Sequence, residues 1–507
     1  MTKTYRIALP LLGAWLAGWM YLSWAAIQDD ALIHLRYADN LFLYHFVTYD
    51  GVHGDYGASS LLYVALLAVL RGLTASPNLP RAVSSIVHGL LFAGLAYGFV
   101  VRLPRQARVA RFAGVALLIL LVAPSAVRWL DDGMETGIVV SLVSVLAWLI
   151  HEQRYALDEA GGAWSGLILA PLAFLAVMLR TELGLLCGFG FVILAFGRAR
   201  SLRNGLPLVL GAGLALSLIV ATMHVLLPDT AIAKSHGLSH WFNPLHDAAV
   251  TLGGAMSFGL GMLAFWLLTL LLVVAHRGRL EMSTAIANAF FPVVLALASL
   301  RGQEIQGVRY FAWTFFFPVV WNILELARVP EAGVAERWTG SRSALPVGLF
   351  LTLLAAAMPF ETQTMYRVLT HRSETMRAFE AQHLDVLQER RGVASDIGYI
   401  GYFSGAEICD LAGLVNGRPA ARLSSAERNQ ACVRTNPEFL FVNVSQLGPL
   451  QRLADFSGWQ VCGRYDFTNV RTLDSHYLVV RPAIAEEVCR ATGYRAEPVA
   501  RLLTAGL

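Results

Sequence analysis

Two adjacent carboxylates, Asp29 and Asp30, directly follow the first apolar run of the chain. Ionisable side chains at a membrane boundary are costly to desolvate, so they are functional candidates by default. In a helix, Asp29 shares a face with Arg36. Asp30 shares one with His34 and Tyr37. A single aspartate would satisfy a helix N-cap, whereas two, followed by a cation and a phenol at helical spacing, favour acid–base catalysis by Asp29 or Asp30.

Two loops between apolar runs carry further polar residues. The segment 51–60 includes His53 and Tyr56, and its glycines allow a backbone to approach a ligand closely, although a plain turn explains it equally well. The segment 131–137 contains three acids, Asp131, Asp132 and Glu135. Hard oxygen ligands suit Mg²⁺ or Mn²⁺, but this spacing matches no dedicated metal loop. We therefore predict no metal site and no cofactor.

A charged pair, Arg180 and Glu182, interrupts an otherwise apolar stretch. Such a pair either contributes to substrate binding or is a mutually paired set at the end of a span, where long side chains reach the interface. We keep both interpretations open and treat the two residues as candidate substrate contacts.

The cations near the middle of the chain suggest a phosphate contact. Lys234 is the only lysine beyond the N-terminus of an arginine-rich chain, and an ammonium is a compact point charge of the kind that contacts phosphate. His236 lies two residues further on, and Arg309 with Tyr310 adds charge and a phenol later in the chain. Lipid headgroups are the alternative partners of these cations.

The composition requires a membrane to position these residues. Of 507 residues, 56% are hydrophobic and only 15% are charged, whereas soluble domains carry roughly 25% charged residues. The formal charge of +4 is too small to indicate nucleic acid binding. Apolar windows of roughly 20 residues predict about eleven spanning helices, at about 8–27, 82–101, 112–130, 137–150, 164–179, 183–197, 206–227, 251–275, 283–300, 309–328 and 344–360.

Arginine clusters set the expected orientation, because short cytoplasmic loops collect basic residues. The strongest cluster spans residues 102–111, and alternation from it puts the connections at 131–136, 180–182, 228–247 and 301–309 on the outer face. The apolar run at 59–70 is too short to cross, so we expect a helix at the outer interface. The whole segment 28–80 then stays outside, with the candidate residues on one face.

From residue 361 to 507 the composition becomes that of a soluble domain. Strand-like runs at 437–444 and 476–481 predict a small mixed α/β domain. It contains four of the five cysteines, Cys409, Cys432, Cys462 and Cys489. These residues allow two disulfides in three connectivities, expected on the oxidising side of a membrane. Four unpaired buried cysteines are the alternative.

The motifs together resemble a known family, the bacterial GT-C glycosyltransferases that use polyprenyl-phosphate sugars, and most of all its terminal arabinofuranosyltransferase branch. The resemblance runs along most of the chain, and the segments that carry it are Asp29-Asp30-Ala with Arg36-Tyr37-Ala and Asn40, Tyr56-Gly-Ala-Ser-Ser-Leu, Gly133-Met-Glu-Thr, Arg180-Thr-Glu, Pro228-Asp-Thr with Ala-Lys234, Arg309-Tyr310, Asp396-Ile-Gly398-Tyr-Ile-Gly401 and Asp410-Leu-Ala-Gly-Leu-Val-Asn416. The chain departs from the family pattern at Ala58-Ser59-Ser60 and after Arg180.

The resemblance implies a polytopic helical membrane enzyme with two parts, a transmembrane catalytic domain at 1–360 and a periplasmic domain at 361–507. It implies transfer of a sugar, expected to be D-arabinofuranose, from a polyprenyl-phosphate donor to a hydroxyl of a glycan or protein acceptor at the bacterial inner membrane. A transporter or flippase of a lipid-linked sugar is the rival, but no inverted repeat supports it.

The resemblance also suggests roles for individual residues, with Asp29 or Asp30 as the base. The donor phosphate would be bound by Lys234, Arg309 and Arg36. Other substrate contacts would come from Tyr37, His53, Tyr56, Glu135, Arg180, Glu182, His236 and Tyr310.

Overall fold

The computed structural model describes residues 3–51, 54–104, 107–156, 163–196, 202–233, 256–277, 280–300, 312–328, 341–468 and 473–505. Helices dominate these residues up to Ala381, and a mixed sheet with its own helices follows. The helices of the first part are α1 (Lys3–Leu22), α2 (Asp29–Tyr44), α3 (Leu61–Arg71), α4 (Leu79–Ala96), α5 (Arg108–Leu121), α6 (Pro124–Leu130), α7 (Thr136–Ala156), α8 (Ala163–Leu179), α9 (Leu183–Ala195), α10 (Leu202–Met223), α11 (Asp229–Ala233), α12 (Met256–Arg277), α13 (Met282–Leu300), α14 (Ala312–Ala327) and α15 (Ser341–Ala381).

Within the described residues, fewer helices than predicted are long and apolar enough to cross a membrane. Five pass this test: Leu79–Arg102, Thr136–Tyr155, Leu202–Met223, Phe258–Arg277 and Leu345–Ala381. A sixth span exists if α5 and α6, which are bent by 71° at their junction, are counted as one. The first of the five includes a π-helical turn, Tyr97–Arg102, that continues α4.

The prediction of eleven spans is therefore too high by this measure. The other five predicted windows do form helices, but short ones: Arg6–Leu22, Leu167–Leu179, Leu183–Ala195, Met282–Val294 and Trp313–Ala327. A helix rises about 1.5 Å per residue, so seventeen residues reach about 25 Å, short of a hydrocarbon core of about 30 Å. As complete helices, α1 with 20 residues and α13 with 19 come closer to that thickness. The apolar windows thus located the helices correctly, and five or six of them qualify as spans within the described residues.

Buried polar side chains connect the helices in two places. The carboxylate of Glu325 on α14 lies 2.9 Å from Arg154 Nη1 on α7 and 2.6 Å from Arg277 Nη2 on α12. Elsewhere, the amides of Asn288 and Asn322 exchange hydrogen bonds of 2.9 and 3.0 Å between α13 and α14. Hydrogen bonds between helices are a recurrent means of association in lipid, where apolar burial alone supplies little driving force.

The boundary predicted at residue 361 falls inside α15, a helix of 41 residues that continues from apolar into polar sequence. Residues 384–505, called the sheet domain below, follow it after a 3-10 turn at Leu384–Leu387. The sheet domain contains β1 (Arg391–Ala394), α16 (Ile397–Ser404), β2 (Glu407–Asp410), α17 (Gly417–Ala421), α18 (Ser425–Arg434), β3 (Phe439–Asn443), α19 (Val444–Gln451), β4 (Gln460–Thr468), β5 (Leu473–Val480), α20 (Pro482–Thr492), β6 (Glu497–Pro498) and α21 (Ala500–Ala505).

The sheet has the strand order β2-β1-β3-β5-β4-β6. β1 is parallel to both β2 and β3, and the remaining pairs are antiparallel. Because alternate residues of a strand face opposite sides, Phe439 and Phe441 of β3 join one apolar cluster, and Leu440 and Val442 join another. The predicted mixed α/β domain is confirmed.

Two disulfides staple the sheet domain. Cys409 pairs with Cys432, which ties β2 to α18, and Cys462 pairs with Cys489, which ties β4 to α20. The sequence left open whether these four cysteines are paired or free, and the structure shows two disulfides. Disulfides form and persist in oxidising compartments.

The apolar cluster that contains Phe439 and Phe441 also joins the sheet domain to the segment after α1. It contains Leu32 and Leu35 of α2 and Val64 of α3 together with Ile400 of α16 and Phe441 of β3. The segment 28–80 and the sheet domain thus fold against each other around a common apolar core, which fixes the start of α2 relative to the sheet.

Candidate functional site

The acid pair occupies the first turn of α2, as the sequence predicted. Gln28 precedes the helix in an extended conformation, and its N–H donates to the carbonyl oxygen of Asp132 at 2.9 Å. Negative side chains are favourable in this position, because the first turn of a helix carries a partial positive charge. The start of α2 is thereby anchored to the loop that contains the other three acids.

Polar groups from four separate segments lie near His34. We call Asp30, which contributes its backbone carbonyl oxygen, together with His34, Ser59, Glu135 and Arg180 the acid–histidine cluster. The carbonyl oxygen of Asp30 can only accept, so His34 Nδ1, 2.9 Å away, carries the proton. The Ser59 hydroxyl lies 3.2 Å from His34 Nε2 and 3.4 Å from Glu135 Oε1.

An ion pair between Arg180 and Glu135 completes the cluster. Arg180 Nε lies 3.4 Å from Glu135 Oε1, and both side chains are buried. Asp30 and Ser59, in contrast, are only half-buried. The cluster therefore combines a half-buried serine hydroxyl with a buried histidine, glutamate and arginine, and the half-buried Asp30 lies one helical turn before His34. These are groups suited to proton transfer.

The three acids of the 131–135 loop contact three different neighbours. Asp131 Oδ1 lies 2.8 Å from His88 Nδ1 of α4, in a fully buried pair. Asp132 Oδ1 accepts the N–H of Met134 at 3.0 Å, whereas Glu135 joins the acid–histidine cluster. Within the described residues, no three His, Cys, Asp or Glu side chains are placed together to hold a metal ion.

The loop before α3 is built around a buried carboxylate that sequence reasoning did not select. Asp55 accepts the hydroxyl of Tyr37 and the N–H groups of Tyr49 and Gly57, each N–H at 3.1 Å. Burial, with a smaller contribution from the charge of Asp229, raises the pKa of Asp55 to about 7. Tyr37, predicted to contact substrate, therefore also shapes this loop.

Tyr56 connects the same loop to α11. Its carbonyl oxygen accepts the N–H of Asp229 at 2.7 Å. The Asp229 carboxylate lies 3.1 Å from Arg418 Nε, on α17 of the sheet domain. Burial raises the pKa of the Tyr56 hydroxyl, with further contributions from Glu182 and Asp229. Glu182 itself is exposed at the start of α9.

Asp29 and Arg36 contact α16 instead of the cluster. The Asp29 carboxylate accepts the N–H groups of Gly398 at 3.0 Å and Tyr399 at 2.8 Å. The Arg36 guanidinium donates to carbonyl oxygens at the other end of α16, including that of Ala406 at 2.8 Å. The predicted shared face of Asp29 and Arg36 is present, but its contacts are with the sheet domain.

Several predicted site residues lie outside the residues that the structure describes. They are His53, Lys234, His236, Arg309 and Tyr310. The described predicted residues divide into three groups. Asp30, Glu135 and Arg180 meet in the acid–histidine cluster. Asp29 and Arg36 contact the sheet domain, and Tyr37, Tyr56 and Glu182 lie in or against the adjoining loops.

Besides Asp55, sequence reasoning did not select His34, Ser59 or Arg418 as site residues, although the first two had a visible signal. His34 stands four residues after Asp30, which places it on the same helix face. Ser59 lies in the glycine-rich segment already singled out. Arg418 had no signal, because its partner Asp229 is 189 residues away in the chain.

Comparison with known proteins bears on the sheet domain. Residues 363–487 match a family model described as a domain of unknown function (DUF8728). The match begins in α15 and ends in α20, so it covers less than half of the chain and leaves the acid–histidine cluster outside. No curated protein matches the chain.

Proposed function

We propose that this protein is a membrane glycosyltransferase that moves a sugar, D-arabinofuranose by resemblance, from a polyprenyl-phosphate donor to a hydroxyl acceptor. The observation that carries the proposal is the acid–histidine cluster, in which segments carrying the family-like motifs come within hydrogen-bond and ion-pair distance. Glycosyl transfer uses carboxylates beside the bond that breaks, and the acid pair lies in the first turn of the helix that carries His34.

The reaction requires one proton acceptor and one stabilised leaving group. The acceptor hydroxyl loses its proton to the acid pair as its oxygen forms a bond to the anomeric carbon. The bond between that carbon and the donor phosphate breaks, and the phosphate leaves with the electron pair. A positioned general base typically contributes 10²–10⁴-fold. Lys234 and Arg309 are proposed as the cations that stabilise the departing phosphate.

We place the reaction on the outer, periplasmic face of a bacterial inner membrane. Two considerations support this location. The sheet domain has two disulfides, which are typical of oxidising compartments, and the acid pair folds against that domain. A lipid-linked donor in the outer leaflet could then reach the acid pair without a soluble nucleotide substrate. The acceptor would be a cell-envelope glycan or a protein.

The test is transfer by the purified protein in lipid nanodiscs. Polyprenyl-phosphate donors with labelled pentose or hexose are incubated with glycan and peptide acceptors, and labelled product is measured. The matched control is the double variant Asp29→Asn with Asp30→Asn. We expect transfer by the unmodified protein and none above background by the control. Equal transfer by both, or no transfer from any donor, would refute the proposal, and movement of intact donor across a bilayer would favour a flippase.

A further inference from the structure

The two neighbouring aspartates have different surroundings. Oδ2 of Asp29 accepts the N–H of Gly398, and Oδ1 accepts the N–H of Tyr399. Both oxygens are therefore engaged at the first turn of α16. Asp30 lies on the adjacent face of α2, where its own carbonyl oxygen accepts from His34. The Asp29 side chain is therefore committed to the sheet domain, whereas the backbone of Asp30 contacts His34.

Arg36 binds the opposite end of the same helix. Its Nη1 donates to the carbonyl oxygen of Gly401, and its Nη2 donates to that of Ala406. Asp29 and Arg36 are seven residues apart, which is two turns, and α16 is eight residues long. The two helices thus run side by side in the same direction, with a carboxylate at the positive end of α16 and a guanidinium at its negative end.

Close backbone contact makes this arrangement specific. A Cβ atom on Gly398 would lie 1.9 Å from the carbonyl oxygen of Asp29, so only glycine fits there. The hydroxyl of Tyr399 donates to the carbonyl oxygen of Ile27 at 2.7 Å, just before α2. The start of α2 is therefore held by backbone contacts as well as by charge.

The electrostatic surroundings of Asp29 also disfavour a role as proton acceptor. Burial, then the nearby carboxylates of Asp396 and Asp30, hold the pKa of Asp29 well above its usual range, against the two backbone hydrogen bonds. Asp396 is itself paired with His476 at 2.8 Å. A raised pKa increases the fraction of Asp29 that is already protonated, and a protonated carboxyl cannot accept another proton from a hydroxyl. Adjacent acids in different environments commonly divide their roles in this way.

We infer that Asp29 and Arg36 are positioning residues that dock α2 onto α16, and that Asp30 alone is the proton acceptor of the pair. This inference rests on the proposed function for the role of Asp30. The docking of Asp29 stands on the contacts themselves. The sheet domain then acts on the chemistry indirectly, because it holds the helix on which the base sits.

Hydrogen exchange of the α16 amides tests the docking without any substrate. The variants are Asp29→Asn, Asp30→Asn and Gly398→Ala, in the full chain in nanodiscs. Gly448→Ala is the matched control, because a Cβ there meets nothing within 4 Å. Loss of the two backbone hydrogen bonds to the Asp29 side chain should speed exchange at 397–404 about tenfold or more in Asp29→Asn and Gly398→Ala. Asp30→Asn and the control should exchange as the unmodified protein does.

The pH profile of transfer tests the division of roles. Asp30→Asn should lose about 10²-fold or more of kcat/KM, together with the acid limb of the profile. Asp29→Asn and Gly398→Ala should lose about tenfold, because a smaller fraction of molecules is docked, and should keep the acid limb. Gly448→Ala should keep both rate and profile.

Opposite outcomes overturn the inference. Unchanged exchange at 397–404 in Asp29→Asn would remove the docking role. Loss of the acid limb in Asp29→Asn with its retention in Asp30→Asn would reverse the two assignments. If the unmodified protein transfers no sugar, the proposed function fails and the role of Asp30 fails with it, whereas the exchange measurement still decides the docking.

Discussion

A single buried carboxylate organises the loop before α3. Asp55 shows this most clearly, because it is buried and accepts three hydrogen bonds from Tyr37, Tyr49 and Gly57. Its pKa is raised to about 7 chiefly by burial. An unfolded aspartate has a pKa of about 3.9, so folding favours the protonated form of this side chain.

The stability of the protein should therefore depend on pH through Asp55. Between about pH 4 and about pH 7 the folded state binds a proton that the unfolded state has lost, so the free energy of unfolding falls as pH rises. One pKa unit is about 1.4 kcal/mol, which limits the total loss to about 4 kcal/mol. Asp55→Asn should reduce this slope, measured by thermal unfolding in detergent across that range.

A second buried aspartate, Asp410, should keep part of the pH dependence in the Asp55→Asn variant. Burial also raises the pKa of Asp410 to about 6, so part of the slope should remain in the variant. A profile of Asp55→Asn identical to that of the unmodified protein would contradict the expectation.

At the residue scale, the sequence predicted helix faces but not long-range partners. Helical spacing correctly placed Asp29 with Arg36 and Asp30 with His34. It could not reveal that Gly398, 369 residues away, donates to Asp29. The ion pair of Arg180 was considered with Glu182, its neighbour in sequence, whereas the structure brings Arg180 to Glu135 from another loop. Such pairings follow from tertiary packing, which no local pattern contains.

At the scale of elements, close helix packing depends on small residues. α8 and α10 approach so closely that a Cβ atom on Gly211 would lie 2.0 Å from the carbonyl oxygen of Ala170. Small residues commonly permit such approaches between helices in membranes. Gly213, two residues further along α10, is exposed, and a Cβ there meets nothing within 4 Å.

This pair of glycines gives a matched prediction. Gly211→Ala should force α8 and α10 apart and destabilise the protein by about 1–3 kcal/mol, as overpacking usually does. Gly213→Ala should leave stability unchanged or slightly higher, because alanine is a better helix former than glycine. Unfolding in mixed micelles, followed by tryptophan fluorescence, measures both. Equal destabilisation by the two substitutions would argue against tight α8–α10 packing.

The number of elements was easier to predict than their lengths. Every apolar window of the sequence contains a helix, yet five of these helices are short. The polar residues Arg180 to Glu182, for instance, separate α8 from α9. Proline begins α6 at residue 124, immediately after the bend from α5. Hydropathy averages over such breaks, so it counts apolar segments well and straight spans poorly.

At the scale of the whole molecule, one shared core and one candidate span predict sidedness whatever the number of spans. The segment 28–80 and the sheet domain share one apolar core, so we expect them on the same side of a membrane. α7 begins beside the acid–histidine cluster at Thr136 and forms a candidate span to Tyr155. If α7 crosses the membrane, its far end, at Glu152, is expected near the opposite side.

Cysteine labelling in intact cells tests this arrangement. Ser457→Cys places a thiol on an exposed residue of the sheet domain, and Glu152→Cys places one at the far end of α7. The background should be low, because Cys187 is buried and the four other cysteines are paired. A membrane-impermeant maleimide added outside should label Ser457→Cys directly and Glu152→Cys only after permeabilisation. Labelling of both from one side would be incompatible with α7 as a span, and external labelling of Glu152→Cys alone would put the acid pair on the cytoplasmic face, where an outer-leaflet donor could not reach it.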